Sequence, residues 1–332
     1  MNGRHQALLA RLADGALHSG AGLATQLGVS RAAVWKLVGE LRRHGVSVES
    51  VPRSGYRLPQ PVELLDAQRL RAALDARGWR LADRLEVLFE TGSTNTDLYD
   101  APVPAPGAPR VLFAELQQAG RGRRGRSWLA PFGAGLTFSV SWTFADTPPG
   151  LPALGLAVGA GIATALRDLG LTGARVKWPN DLVWQGRKLG GLLLQLRSEA
   201  GGAASVVAGL GLNIALPADA RAALAVDGAQ PVADLAEALD GRLPSRNEIG
   251  AALAAAMFAT LDEFAAAGFA PFAARWAALD ALAGARVRIA QVDGEVEGEA
   301  CGADADGALL LRVDGQLLRF HSGDVTLRPV AP

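Results

Sequence analysis

Seven consecutive positions, Gly120 to Arg126, hold four arginines and three glycines. Glycine lets a loop's backbone approach a ligand closely, and arginine grips phosphate and carboxylate through paired hydrogen bonds. Gln117-Gln118-Ala119 leads into this loop and Ser127-Trp128 follows it. A solvated basic loop is the ordinary use of such a stretch. Trp128 argues for more, because a large aromatic beside a cationic loop can stack on an adenine or cap an apolar ligand. The run also matches G-x-G-x-x-G, but that fingerprint must open a helix. Here Pro131, Gly133 and Gly135 lead into a strand instead, so a Rossmann turn is not expected. No G-x-x-x-x-G-K-[ST] loop occurs either, which leaves the arginine loop as the available device for holding phosphates.

Three more segments carry polar groups in unusual company. Lys177-Trp178-Pro179-Asn180-Asp181-Leu182 joins turn chemistry to apolar alternation, and Gly186-Arg187-Lys188-Leu189-Gly190-Gly191 follows, so 177–196 reads as antiparallel strands. Plain hairpins satisfy that pattern; the functional reading brings Asp181 at the turn and Lys188 entering a strand to one site, with Gly190-Gly191 letting a ligand lie against the backbone. Glu90-Thr91-Gly92-Ser93-Thr94-Asn95 offers three small polar side chains before a helix, as an N-cap or as readers of a polar ring. In Val207 to Ile214 an apolar strand includes Gly209, Gly211 and Asn213, and a buried asparagine needs partners.

The elements that must position these groups divide the chain into three. At 332 residues it exceeds one ordinary core, while 49% hydrophobic and 20% charged residues describe a globular protein. Thirty-three Lys and Arg balance 33 Asp and Glu, so no chain-wide field draws it to nucleic acid or membrane. A single cysteine, Cys301, forms neither an intrachain disulfide nor a multi-cysteine metal site, which fits a reducing, cytoplasmic setting. Residues 1–60 read as three helices and a hairpin. Leu8, Leu9 and Leu12 mark the first helix, Leu23 and Leu27 the second. Ser30 caps a third carrying Val34, Leu37, Val38 and Leu41, and Pro52-Arg53-Ser54-Gly55 turns a β-wing. Residues 61–282 mix strands (111–116, 136–142) with helices (66–77, 154–169, and an alanine-rich stretch 247–282), which predicts an α+β domain. The twenty uncharged residues from Thr147 to Leu166 read as a buried helix rather than a membrane span, given three prolines. Residues 283–332 predict five short strands and a small barrel holding Cys301.

GRGRRGR-x-W, KWPNDL with a following RKL-x-G, and G-x-G-x-N, in this order, resemble the biotin protein ligase family across nearly the whole chain. With the winged helix-turn-helix the chain is similar to the bifunctional bacterial members that also repress the biotin operon. The resemblance implies a central domain like those of class II aminoacyl-tRNA synthetases and lipoate ligases, and an SH3-like C-terminal β-barrel. It implies biotin-[acetyl-CoA-carboxylase] ligase activity: adenylation of biotin by ATP with Mg²⁺, then transfer to a lysine of the biotin carboxyl carrier protein. Implied biotin contacts are Ser93, Thr94, Asn95, Gln117, Arg121, Gly122, Arg123, Lys188 and Gly191. Implied ATP contacts are Arg123, Arg124, Arg126, Trp128, Lys177, Asn180, Asn213 and Arg328. Arg121, Arg123, Lys188 and Asp181 are the implied catalytic set, Asp181 lying near Mg²⁺ or the incoming lysine. Gly190 replaces the alanine common in RKL-x-G, and the expectation is a looser strand.

Chemistry asks for the same kit: a carboxylate attacking a phosphate needs fixed cations rather than a protein nucleophile. In the second step a lysine, pKa about 10.4 in water, must lose a proton, which a nearby carboxylate such as Asp181 assists. Residues 1–60 carry eight Lys and Arg against three Asp and Glu, and Ser30, Arg31, Trp35, Lys36 and Arg53 are the expected contacts to operator DNA, bound by a ligand-promoted homodimer. Two rivals stand beside this reading. A lipoate ligase or octanoyltransferase shares the fold, though a thioester route wants a reactive thiol and Cys301 lies outside all four segments. A repressor that senses biotin or its adenylate without turnover would keep the pocket and lose the chemistry.

Overall fold

The structure is a computed structural model that describes residues 3–198, 203–225, 230–291, 294–321 and 326–329, with backbone alone at 198, 290, 291 and 326–329. Helices α1 (Gly3–Leu12), α2 (Gly20–Leu27) and α3 (Arg31–Arg43) lead to a wing of β1 (Glu49–Val51) and β2 (Gly55–Arg57). Ser19 Oγ accepts the Gly22 N–H and Ser30 Oγ the Ala33 N–H, so each of α2 and α3 starts on a side-chain cap. Arg53 takes a left-handed φ of 60° in the wing turn. The leucine and valine stripes expected from the periodicity are buried: Leu8, Leu9 and Leu12 meet Leu23, Val34, Leu37, Val38 and Leu41. Each such side chain contributes about 1.5–3 kcal/mol relative to exposure. Phe89 and Leu116 of the next domain complete this core, so the winged helix is seated rather than tethered.

The central region adds α4 (Ala67–Asp75), β3 (Leu85–Thr91), α5 (Thr94–Asp100), β4 (Arg110–Gln117), β5 (Gly135–Phe144), α6 (Leu154–Asp168), β6 (Arg175–Lys177), β7 (Asp181–Trp184), β8 (Arg187–Ser198) and β9 (Ala204–Asn213). After them come α7 (Ala218–Leu224), α8 (Leu235–Ala238), α9 (Arg246–Ala267) and α10 (Ala270–Leu279). Seven strands form one sheet in the order β3-β4-β5-β9-β8-β7-β6, parallel only between β3 and β4. Strand alternation then sorts the faces. Leu136, Phe138, Val140 and Trp142 of β5 and Val206, Ala208, Leu210 and Leu212 of β9 build the main core with α6 and α9. Thr137 and Ser139 of β5, paired across from Gly211 and Gly209 of β9, occupy the opposite face.

The alanine-rich stretch 247–282 is helical, as α9 and α10; they are divided at Gly268, which turns the chain at φ 62° and where a Cβ would stand 2.4 Å from the Pro149 carbonyl. At Gly190 a Cβ would lie 2.6 Å from the Gly211 carbonyl, so glycine lets β8 and β9 approach closely, and the pairing of β8 with β7 shifts register beside it. The segment from Thr147 leads through a short turn into α6, whose buried residues confirm a core helix. A different helix, α9, is long and apolar enough to cross a membrane, yet most of it is buried among the core.

The C-terminal strands β10 (Arg286–Gln291), β11 (Gly294–Ala303), β12 (Leu309–Val313), β13 (Gln316–Phe320) and β14 (Thr326–Pro329) form an antiparallel sheet in the order β13-β12-β11-β10-β14. A register shift between Ala300 and Ala303 bends the long β11, as bulges do. Val287, Ile289, Leu309 and Leu311 share the central core, and the Trp178 indole N–H donates to the Gly307 carbonyl. Cys301 lies on β11, as expected.

Candidate active site

The four segments converge on one cavity of about 690 Å³, open on one side and large enough for a nucleotide together with a small acid. Its floor is the polar face of the sheet. Period-two spacing puts Gly209, Gly211 and Asn213 on that face, and cross-strand pairing sets Gly211 beside Gly191, which in turn pairs with Asp181. Missing side chains make the depth: a Cβ on Gly211 would stand 2.3 Å from the Trp128 ring, so this glycine is what seats the tryptophan against the sheet. Trp128 Nε1 is buried without a partner.

At one end the lining is neutral and hydrogen-bonded to itself. Ser93 begins α5 without spending its hydroxyl on a cap. The Thr94 backbone N–H and hydroxyl both donate to Gln117 Oε1, at 2.8 and 3.1 Å, which fixes that amide with Nε2 towards Gly120. Thr94 Oγ1 also lies 2.8 Å from Ser139 Oγ. Asn95 is buried alongside.

At the other end the lining is charged. Lys188 enters β8 at a register shift between β7 and β8, and its Nζ donates to Asp181 Oδ1 at 2.6 Å. Both side chains are partly buried, which raises the weight of the pair above that of a surface bridge. Asp181 is the one carboxylate lining the cavity among the described residues. Lys177 Nζ donates to Gln230 Oε1 at 2.8 Å. Two predicted ligand amides serve the backbone: Asn180 Nδ2 donates to the Leu192 carbonyl at 2.6 Å and Asn213 Nδ2 to that of Ala233 at 3.0 Å. Any contact they make with a nucleotide uses their remaining atoms.

Arg121, Arg123, Arg124 and Arg126 all line the opening. Their loop is folded: the Gly122 N–H donates to the Arg126 carbonyl at 2.7 Å, the Trp128 N–H to the Gly120 carbonyl at 2.8 Å, and Arg124 takes a left-handed φ of 58°. Burial, then Arg124 and Arg126, hold the Arg123 guanidinium below its ordinary range, while Asp181 opposes them. Like charges crowded into one loop disfavour one another, and an anion placed among them relieves that repulsion.

Every residue expected at the biotin, ATP and catalytic sites lines this cavity except Arg328, whose side chain lies outside the described residues and whose backbone pairs with Arg288 in the C-terminal sheet. Arg31, Trp35, Lys36 and Arg53 are exposed on the winged helix, Trp35 at 70%, while the Ser30 oxygen caps α3. Sequence reasoning missed Ser139 and Gln230. Ser139 had a signal, since Thr137, Ser139 and Ser141 make a polar alternation inside an apolar strand; Gln230 had none.

Residues 89–213 match the Biotin/lipoate A/B protein ligase family, 4–57 an HTH domain, and 283–328 the Biotin protein ligase C terminal domain. The bifunctional ligase/repressor BirA of Salmonella typhimurium is 40% identical over 321 residues, 97% of this chain and 96% of that protein. The biotin--[acetyl-CoA-carboxylase] ligase of Mycobacterium tuberculosis is 34% identical over 284 residues, 79% of this chain and 98% of that one. Among solved structures, biotin protein ligase from Aquifex aeolicus in complex with biotin and ATP superposes with a TM-score of 0.61 at 25% identity, covering 74% of this chain and 99% of that chain. Fold, cavity and likeness along nearly the full length agree: the chain belongs to the biotin protein ligase family and groups with its bifunctional ligase/repressors.

Proposed function

We propose that this cavity joins biotin to AMP and passes the biotin to a lysine of a biotin carboxyl carrier protein. The observation that carries the reading is one cavity with a neutral, hydrogen-bonding end and a cationic end. A urea ring suits the first, where Ser93, Thr94, Asn95 and Gln117 supply donors and acceptors. The biotin carboxylate would then reach the second, near Lys188, with Arg121 and Arg123 closing over it and Gly122 and Gly191 leaving room. Arg123, Arg124, Arg126 and Lys177 face the phosphates, and Trp128 the adenine.

The carboxylate oxygen attacks the α-phosphorus, a P–O bond breaks, and pyrophosphate leaves. Charge builds on oxygens that Lys188 and the arginines surround, so they favour the transition state over the separated reactants. In the second step an amine nitrogen attacks the acyl carbon, AMP leaves as its phosphate, and Asp181, the carboxylate of the cavity lining, takes the amine's proton on this reading. Among the described residues no three His, Cys, Asp or Glu side chains group as a metal cage, so Mg²⁺ would arrive on the phosphates with Asp181 as its protein carboxylate. Its contribution when bound is to neutralise phosphate charge.

The winged helix adds operator binding, with Trp35, Arg31 and Lys36 exposed early on α3 and Arg53 on the wing. Two such modules reading half-sites call for a homodimer, and we infer that biotinyl-adenylate promotes it. The single thiol and the substrates fit a cytoplasmic setting.

Mixing the protein with biotin, MgATP and a carrier domain is expected to release pyrophosphate and add one biotin mass to one lysine. No pyrophosphate, with biotin still bound, would leave a sensor without turnover; transfer of lipoate in preference to biotin would leave the related ligase. Gel shifts and sedimentation unchanged by biotinyl-adenylate would remove the ligand-promoted dimer.

A further inference from the structure

Asn95 belongs to the neutral end of the cavity and is only 4% exposed. Its two amide atoms have different surroundings. Nδ2 donates to Gln195 Oε1 at 2.5 Å. Oδ1 is buried with no partner and faces the bare backbone of Gly209, where a Cβ would stand 2.8 Å away and Ser139 Oγ is 3.1 Å from the same point. Gln195 sits on β8 opposite Val207, two pairs along the sheet from the Leu193–Gly209 pair, and is not itself part of the lining.

An asparagine amide presents either a carbonyl or an NH₂ when turned by half a revolution, and the two are nearly the same shape. Its surroundings decide which one faces inward. Gln195 accepts from Nδ2, so an Asn95 amide turned alone would set its oxygen against the Gln195 oxygen, acceptor against acceptor; a glutamate at 195 could only accept and so fixes the orientation outright. A buried acceptor left without a donor keeps its desolvation cost, and that cost disappears when a ligand supplies the donor.

We propose that Gln195 is a positioning residue which holds Asn95 Oδ1 inward to accept one ring N–H of biotin, and so makes this end of the site select a urea over a ring with oxygen at that position. The proposal rests on the biotin ligase reading and deepens it. Ser93, Thr94 and Gln117 hold the rest of the ring, so the contribution of Gln195 is to orientation and specificity rather than to chemistry.

The test uses the full chain, biotin, and two cyclic carbamate analogues in which one or the other ring N–H is replaced by oxygen. Gln195→Met removes the acceptor at similar volume, and Gln195→Glu keeps one. Calorimetric Kd values are expected to show the wild type preferring biotin to one of the analogues by about tenfold or more. Gln195→Glu should keep that preference. Gln195→Met should lose it to within about threefold, with biotin KM raised and kcat, ATP KM and melting temperature unchanged. An undiminished preference in Gln195→Met, or a loss in Gln195→Glu equal to that in Gln195→Met, overturns the proposal while leaving the ligase reading intact. A wild type that binds no biotin overturns both, and is distinguished by that measurement alone. Should Gln195→Met fail to fold, Gln195→Leu takes its place against the same Gln195→Glu control.

Discussion

On the sheet side of the cavity the polar groups are largely bonded to one another before any ligand arrives, Gln117 to Thr94, Thr94 to Ser139 and Asn95 Nδ2 to Gln195, with Asn95 Oδ1 left over. On the loop side, four arginines crowd the opening and Arg123 is held below its ordinary range by burial and by its own neighbours. On the proposed reading the floor offers fixed dipoles to a neutral ring, and the arginine loop, as the lid, offers charge. A site that joins two anions needs both kinds, because a developing negative charge is stabilised by cations already held in place. Lys188 stands between the two, on the sheet yet bonded to Asp181.

If that contrast is sound, floor and lid variants should fail in different ways. The largest effect belongs to Arg246, which donates to Glu115 and to the carbonyls of Glu63 and Gly135, all in the interior beneath the floor. Gly135 pairs with Asn213, so this cation anchors the edge of the site from behind. Arg246→Ala leaves the Glu115 carboxylate buried without its cation and should cost about 3–5 kcal/mol in denaturant unfolding. Lys188→Ala and Arg123→Ala should do the reverse: pyrophosphate release slowed about 10²–10³-fold, with stability lowered by no more than about 1–2 kcal/mol for Lys188→Ala, which unpairs Asp181, and about 0.5 kcal/mol for Arg123→Ala. A loss of stability in either as large as that of Arg246→Ala would erase the distinction. Between these extremes lies Gly211→Ala, where the new methyl meets Trp128. Overpacking of that kind costs about 1–3 kcal/mol, and the displaced ring should raise KM for ATP well before biotin affinity changes.

The same contrast explains what could be read from the chain. The winged helix was legible throughout, because its stripes at Leu8, Leu37 and Leu41, its Ser30 cap and its wing turn are local signals at helical and strand periods. Lid and floor were legible as segments through their unusual composition. What bonded to what was not legible: Gln195 lies a hundred positions from Asn95, and no local pattern joins them. The same holds for close packing at glycine: what approaches Gly190 and Gly268 is the carbonyl of Gly211 and that of Pro149, neither of which is a sequence neighbour. Asn180 and Asn213 had ligand-like surroundings in sequence, yet both spend an amide N–H on closing the backbone around the cavity.

The smallest expected effect concerns where the two regions meet the winged helix. Glu90 precedes the Ser93 loop, accepts from His44 Nδ1 at 2.6 Å just past the end of α3, and accepts from Gln118 Nε2 at 2.5 Å just before the arginine loop. Burial pushes its carboxyl up, but the hydrogen bonds from His44 and Gln118 outweigh that, and the group titrates below the usual carboxylate range. A depressed pKa stabilises the fold at every pH above the ordinary value, and the contribution disappears as acid protonates the folded state. With His44 more than a third exposed, the junction is worth about 0.2–1 kcal/mol at neutral pH. Glu90→Gln should therefore cost no more than that near pH 7 and nothing at a pH below the folded pKa, a difference visible in denaturant midpoints measured at both. If the junction also holds the lid to the floor, the same substitution should speed amide exchange in 117–126 at pH 7 while leaving 205–213 unchanged; equal exchange in both would mean that Glu90 ties down only the winged helix.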